Sequence, residues 1–390
     1  MADPHKIMIV AGEESGDTHA AKLVRAMIDE APDGQFEFFG CAGKRMRAAG
    51  VEPVVRADEL AIVGLLEIAA ALPVFLKAFR KLKRAAIDRQ ADAVILVDFP
   101  DFNLKLAKTL KKQGFKVIYY ISPQLWGWRK YRRRTIRDHV DLLLAILPFE
   151  KDWYAGHGIS NVKYVGSPLA REVYPDMSKQ EFCEKHSLDP NRPLIALLPG
   201  SRQKEITRIF PLMLKTAVLM NRRNDRLQFV IALSSIRYAN EVHRACWRLL
   251  RSGLKLPEVL ITVHDETYNA LHASDAAAVT SGTATLETGI IGTPMAIVYK
   301  TSALNFKLVR PLITVEHFGL INLIAGERIV KEMIQDDFTA ESLAWELFRL
   351  LEPSVNAGVR AKLNEAAEKL GHGGASKRAA AAILDLLDKR

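Results

Sequence analysis

Apolar and polar positions recur in blocks along the first half of the chain. Lys6–Ala11 reads as a strand, Gly12–Asp17 turns into a helix near Thr18–Ala31, and Phe36–Gly40 reads as a second strand. Ala93–Val97 is an unbroken apolar run followed by a helix from about Phe102 to Gln113. Lys116–Ile121, Leu142–Ile146 and Val162–Val165 give three further strands. Short apolar runs separated by amphipathic segments of helix length predict parallel strands buried on both faces. Residues 167–193, with Pro168, Pro175, Pro190 and Pro193, interrupt the pattern and read as a connection. A second series follows through Leu194–Leu198, Gln228–Leu233, Leu260–Thr262, Ala276–Val279 and Met295–Tyr299. The expected fold class is α/β: two Rossmann-like, doubly wound domains facing across a cleft, with ligands outside the carboxyl ends of the strands. The expected boundaries are 1–168, 190–355, and a pair of Ala/Lys/Leu-rich helices within 356–390 that pack back on the first domain.

Composition narrows the chemistry. The chain of 390 residues is long enough for two domains, and 49% apolar with 26% charged residues is ordinary for a globular protein. No apolar run has the length of a membrane span, and no charged-then-apolar leader opens the chain. Cys41, Cys183 and Cys246 are scattered without CxxC spacing, so a disulfide framework or structural zinc is not expected and a reducing cytoplasm fits. The formal charge of +10 favours an anionic partner: nucleic acid, an acidic membrane face or phosphorylated substrates.

Two strings carry the strongest chemical signal. Leu197-Leu198-Pro199-Gly200-Ser201-Arg202-Gln203 and Ser281-Gly282-Thr283-Ala284-Thr285-Leu286-Glu287 each follow a predicted strand and open a predicted helix. The first turn of a helix has unpaired N–H groups and the positive end of the dipole, so each mouth is a seat for phosphate. Gly200 permits close backbone approach, Ser201 is the expected cap, and Arg202 offers a planar fork to phosphate oxygens. Glu287, one turn beyond Thr283, is a carboxylate for ribose hydroxyls. The pair suggests a nucleoside diphosphate and hence a sugar-nucleotide enzyme.

In the first half, Asp98 ends the strand Ala93–Val97 and is the expected general base, whereas Asp101 reads as the cap of the next helix. Glu13, Glu14 and Asp17 in the first strand–helix loop would repel a pyrophosphate; they suit sugar hydroxyls, amines or the helix dipole equally. Ile62–Arg84 places Leu65, Leu66, Ile68, Leu72, Val74, Phe75, Leu76 and Phe79 beside Lys77, Arg80, Lys81, Lys83 and Arg84. Such a segment is either a buried helix with a cationic end or a surface for an anionic bilayer. Trp126-Gly127-Trp128-Arg129-Lys130-Tyr131-Arg132-Arg133-Arg134 could stack on bases or hold a phosphorylated, lipid-bearing substrate. The histidines are unclustered, neither HExxH nor GxSxG is present, and no catalytic metal is expected.

Together the strings AGEESGD (11–17), VDFPDFN (97–103), YYISPQLWGWR (119–129), ILPFEKDWY (146–154), YVGSPL (164–169), LLPGSRQKEI (197–206), SDAAAVTSGTATLETGIIGTPM (274–295) and NLIAGERIVKEMIQ (322–335) resemble the lipid-A-disaccharide synthases, in family order and over nearly the whole length. The resemblance implies a GT-B fold and an inverting glycosyl transfer from UDP-2,3-diacylglucosamine to 2,3-diacylglucosamine 1-phosphate. The products are a β-1,6-linked disaccharide 1-phosphate and UDP, made at the cytoplasmic face of the inner membrane. It maps the base onto Asp98 and the phosphate-binding arginine onto Arg202. It assigns Gly200, Ser201, Ser281, Gly282, Thr283, Thr285 and Glu287 to UDP, adds Asn322, Gly326, Glu332 and Gln335 on the nucleotide side, and turns Glu14, Ser15, Asp17, Trp128 and Arg129 toward the acceptor. It brings no cofactor and no nucleic acid, an anionic membrane surface for peripheral contact, and a homodimer. The chain departs from the family pattern at Thr18-His19, at Phe99 where Ala is usual, and at Ile321 where Pro is common. Two rivals stand beside it: a UDP-N-acetylglucosamine 2-epimerase on the same fold, and a basic nucleic-acid-binding protein acting through residues 126–134.

Overall fold

A computed structural model describes residues 4–32, 36–63, 68–303, 306–307, 310, 315–371 and 373–388, with side chains omitted at 61–63 and 68–71. The chain divides into two compact units, one formed by 1–168 with 372–390, the other by 169–371.

The first unit holds a seven-stranded sheet: β1 (His5–Ala11), β2 (Phe36–Ala42), β3 (Glu52–Arg56), β4 (Ala93–Val97), β5 (Lys116–Tyr120), β6 (Leu142–Ala145) and β7 (Val162–Tyr164). Its order is β3-β2-β1-β4-β5-β6-β7, and every pairing is parallel. The second holds β8 (Leu194–Leu198), β9 (Gln228–Leu233), β10 (Leu260–His264), β11 (Ala276–Thr280), β12 (Met295–Tyr299) and β13 (Glu332–Ile334), ordered β10-β9-β8-β11-β12-β13, again all parallel. The central strands β1, β4, β8 and β11 are apolar along almost their whole length because helices cover both sheet faces. The reversal of strand order beside β1/β4 and beside β8/β11 creates, in each unit, the crevice where such sheets bind ligands.

Two strands have no counterpart in the sequence-based expectation. β3 contains Pro53 and leaves Glu52 and Arg56 exposed, and β13 is three residues long and carries Glu332. Both lie at sheet edges, where one side needs no partner and the apolar signal fades.

The stretch read as a plain connection, 167–193, contains the short helices Leu169–Glu172 and Lys179–Lys185. The second begins with a capping box, in which the Glu181 amide donates to Ser178 Oγ and the Ser178 amide donates back to the Glu181 carboxylate. The two expected C-terminal helices separate. Pro353–Glu368 stays in the second unit, where Arg360 donates to the carbonyls of Gly292 and Ser274. Ala375–Asp388 belongs to the first, where Ala379, Ala380, Ile383 and Leu387 share a core with Ala20, Leu23 and Met27 of helix Glu14–Glu30. Lys116 Nζ donates to the Leu386 carbonyl at 3.0 Å, and Arg378 Nε to that of Val165 at 2.8 Å.

Candidate active site

Between β8 and helix Gln203–Arg223 the chain turns at Gly200, whose φ of +114° is a conformation that favours glycine. A Cβ there would stand 2.8 Å from Glu205 Oε2 and 3.0 Å from Glu205 Cβ. Ser201 is not the cap. The capping position falls to Arg202, and the Glu205 carboxylate reaches back to accept from the Ser201 amide at 3.2 Å, in place of a serine hydroxyl. The Ser201 carbonyl accepts from Tyr238 Oη at 2.8 Å. The Arg202 side chain is 81% exposed and pairs with Glu205 at 3.0 Å. An exposed pair of this kind contributes little, so the guanidinium exchanges it readily for a stronger anion.

The second mouth lies after β11, where Gly282 (φ +153°) precedes helix Thr283–Ile291. Ser281 Oγ donates to the Phe318 carbonyl at 3.1 Å. Thr285 is fully buried: its hydroxyl donates to the Gly282 carbonyl at 2.8 Å and accepts from the Leu320 amide at 3.2 Å. It therefore braces the turn rather than facing a ligand. Glu287 is held beside Tyr268; burial raises its carboxyl above the usual range, partly offset by the hydrogen bond from Tyr268. Burial and the Glu287 carboxylate push the Tyr268 hydroxyl up to about 12.

Both mouths open into one cavity of about 720 Å³, lined by Gly200, Ser201, Arg202, Ser281, Gly282, Thr283 and Glu287. It lies wholly within the second unit, outside the carboxyl ends of β8 and β11 at the reversal of strand order. Sequence reasoning missed Ser234 and Asp265 after β9 and β10, Tyr268, and Tyr174 from the connecting segment, all of which also line it. Strand-end position would have found the first two, and Asp265 additionally sits at a φ of +59°.

Asn322, Gly326, Glu332 and Gln335 do not line this cavity. Asn322 is buried, accepting from the amides of Ile329 and Val330 and donating to Glu332. Glu332 also accepts from the amides of Phe318 and Gly319, each at 2.9 Å. Gln335 exchanges two hydrogen bonds with the backbone of Thr301, and Gly326 ends helix Leu320–Ala325 at a φ of +81°. Glu332, oriented by Asn322, fixes the 318–319 segment whose Phe318 carbonyl accepts from Ser281.

In the first unit, Asp98 follows β4 and is half-buried. Burial, and then the neighbouring Glu13 carboxylate, raise its carboxyl from 3.8 to about 6, partly opposed by the Phe99 amide. Asp17 leaves the acceptor list: its carboxylate accepts from the amides of Gly43, Arg45 and Met46 and caps helix Lys44–Ala48. Glu14 and Ser15 are exposed in the first turn of helix Glu14–Glu30.

Asp101 is no cap either, because Pro100 starts its helix and Phe99 takes the capping position. Asp101 instead pairs with Arg129 at 2.7 Å and with Arg132. The Arg129 guanidinium lies 4.0 Å over the exposed Trp128 ring. Trp126 is core, its Nε1 donating at 3.0 Å to Glu150, which is fully buried and also accepts from the amides of Ile146 and Leu147. Helix Ile68–Asp88 turns Val74, Phe75 and Phe79 into the core and leaves Leu72 57% and Leu76 46% exposed beside Lys77, Arg80, Lys81 and Arg84. Leu65 and Leu66 fall outside the described residues, and so does the side chain of Ile68. Among the described residues no group of three or more His, Cys, Asp or Glu side chains is arranged to hold a metal ion, and no helix is long and apolar enough to cross a membrane.

Comparison with known proteins adds an independent line. The family model described as lipid-A-disaccharide synthetase matches residues 7–385. The lipid-A-disaccharide synthase of Geobacter metallireducens is 42% identical over 386 residues, covering 99% of this chain and 98% of the relative. That of Myxococcus xanthus is 41% identical over 388 residues, covering 99% of each. Among solved structures, a UDP-GlcNAc 2-epimerase from Neisseria meningitidis superposes with a TM-score of 0.60 at 14% identity, covering 97% of this chain and 100% of its own. A calicheamicin glycosyltransferase gives 0.58 at 14%, covering 100% and 99%. The structural likenesses establish the GT-B fold, which epimerases and transferases share; the sequence relatives decide between them. The chain belongs to the lipid-A-disaccharide synthase family, glycosyltransferases that transfer 2,3-diacylglucosamine from UDP-2,3-diacylglucosamine to 2,3-diacylglucosamine 1-phosphate.

Proposed function

We propose that the cavity of the second unit seats the UDP of the donor and that Asp98 is the base for the acceptor. The carrying observation is that two helix N-termini, the exposed guanidinium of Arg202 and the half-buried carboxylate of Glu287 open into one space of about 720 Å³. The diphosphate takes the free amides of the two mouths, with Arg202 neutralising the charge that grows on the departing phosphate. Glu287, kept in place by Tyr268, accepts from the ribose hydroxyls. Similar folds support the seat: one solved structure is titled as the UDP complex of MnaA from S. aureus, with a TM-score of 0.65 at 14% identity over 98% of this chain and 97% of that one.

Asp98 takes the proton of the acceptor 6-hydroxyl as its oxygen attacks the anomeric carbon opposite the leaving phosphate. The C–O bond to UDP breaks as the new one forms, giving the β linkage. A carboxyl titrating near 6 is largely ionised at neutral pH yet basic enough to help an alcohol. Trp128, Arg129, Glu14 and Ser15 stand on the acceptor side of this scheme. The exposed Leu72 and Leu76 with their neighbouring cations are the contact for an anionic membrane, from whose cytoplasmic face both acylated substrates are drawn. Self-association as a homodimer belongs to the same reading.

Calorimetric titration with UDP tests the seat. Arg202→Ala should weaken UDP binding at least tenfold and slow turnover, and Asp98→Asn should leave UDP affinity intact while lowering kcat by a factor on the order of 10²–10⁴. Unchanged UDP affinity in the first variant rejects the seat, and near-normal turnover in the second rejects the base. Leu72→Ser/Leu76→Ser should lose co-sedimentation with vesicles containing phosphatidylglycerol; equal sedimentation removes the membrane face. Sedimentation equilibrium at rising concentration tests the dimer, and a single monomeric species discards it.

A further inference from the structure

The turn that carries Asp98 is strained and doubly held. Asp98 and Phe99 are consecutive non-glycine residues in the left-handed region, with φ of +48° and +50°. Such a conformation is unfavourable for an L residue and persists only when its surroundings over-determine it.

Here two buried side chains do so, one from β5 and one from the helix that follows the turn. Tyr119, fully buried on β5, donates its hydroxyl to the Asp98 carbonyl at 2.7 Å. Asn103, fully buried on helix Pro100–Lys111, donates its amide to the same carbonyl at 2.8 Å and to that of Val97 at 3.2 Å. The Asp98 amide donates in turn to the Tyr120 carbonyl at 3.0 Å.

The orientation of Asn103 is unambiguous, since Nδ2 faces three carbonyls, of Val10, Val97 and Asp98, that would repel an oxygen. Its own Oδ1 is buried and accepts from no donor among the described residues. A buried acceptor left unpaired is costly, so this residue is placed for what it donates. The two donors occupy both lone pairs of one carbonyl. That fixes the peptide plane between Asp98 and Phe99, and with it the direction of the Asp98 side chain.

We propose that Tyr119 and Asn103 are positioning residues for the transfer reaction, holding the Asp98 turn so that its carboxylate stays half-buried and aimed at the acceptor hydroxyl. The proposal rests on the reading of Asp98 as the base. The charged and titratable groups around the turn are Glu13 from the loop after β1, Tyr119 itself, and, near Tyr119, Tyr154, Arg132 and Asp101. All but Tyr119 are retained in the variants below, so a changed profile traces to the turn.

Tyr119→Phe is the central test, being a change of one oxygen; Asn103→Ala is its companion. Each should lower kcat about tenfold with KM for either substrate and UDP affinity within twofold. The acid limb of the kcat profile should move from near 6 toward lower pH as the relaxed carboxyl gains water. In an Asp98→Asn background, Tyr119→Phe should alter the residual turnover by less than twofold. A normal kcat and an unmoved limb in folded Tyr119→Phe overturn the proposal while leaving the base intact. So does a loss of kcat with an unmoved limb that recurs equally in the Asp98→Asn background, which is the mark of a purely structural role. Near-normal turnover in Asp98→Asn alone overturns the base reading and this one with it. Should Asn103→Ala fail to fold, Tyr119→Phe decides alone.

Discussion

Asp98 carries a stability cost that the role of base proposed for it would explain. Its folded-state carboxyl titrates near 6 against 3.8 ordinarily, so the native state holds the proton more tightly than the unfolded chain. The linkage sign follows: any stability from this group is fully present below about pH 4 and is lost as pH rises through 6. Asp98→Asn should therefore be more stable than the parent at pH 8, by at most about 3 kcal/mol, with the gain vanishing near pH 4. Paired thermal melts at the two pH values check this, and equal differences at both reject the burial argument. Gly200 makes the opposite case. Gly200→Ala places a Cβ against Glu205 in a backbone region that alanine resists, so it should lose about 1–3 kcal/mol and weaken UDP binding. Denaturant unfolding and a UDP titration read both effects. Neither residue's environment was legible in the sequence beyond its position at a strand end. The contacts that set it, Glu13 near Asp98 and Glu205 beneath Gly200, come from loop geometry.

At the scale of elements, what the sequence disclosed follows from how strands are buried. β4, β8, β9 and β12 are expected and found with the same limits because both faces are covered and, Gln228 apart, their residues form unbroken apolar runs. Among the edge strands, β7 and β10 keep mostly apolar stretches that the sequence shows, whereas β3 carries Pro53 and exposed polar ends and β13 has only three residues, so these two escape notice. Polar residues mislead for a related reason. Asp17, Thr285, Asn322 and Glu332 stand in recognisable strings beside a ligand site, yet their atoms satisfy backbone groups of neighbouring turns. A linear pattern marks where a site is and cannot separate the residues that face it from those that brace it. Glu150 is the clearest brace in the first unit. Glu150→Ala would strand the Trp126 indole N–H and two backbone amides in the core, at a cost of about 3 kcal/mol or more. Burial of Trp126 gives the readout: a red shift of its fluorescence at equal secondary structure is expected, and an unshifted spectrum with parental stability counts against the brace.

At the scale of the molecule, the two units share strand order apart from β7, and the cavity proposed for UDP lies entirely in one of them. Damage to the other should leave nucleotide binding standing. Ile383→Asp, which puts a carboxylate into the core between helices Ala375–Asp388 and Glu14–Glu30, should destabilise the first unit by at least about 3 kcal/mol and abolish transfer. UDP affinity should stay within twofold, and its collapse in parallel would show the units to be a single folding block. The route of the chain carries one more consequence. The helix that completes the first core is synthesised only after all of the second unit, Leu169–Gly371. At ribosomal speeds of about 5–20 residues per second, those roughly 200 intervening residues take on the order of 10–40 s. Through that interval the nascent first unit displays a greasy flank with nothing to cover it, which makes it a client for the chaperones that wait at the tunnel exit.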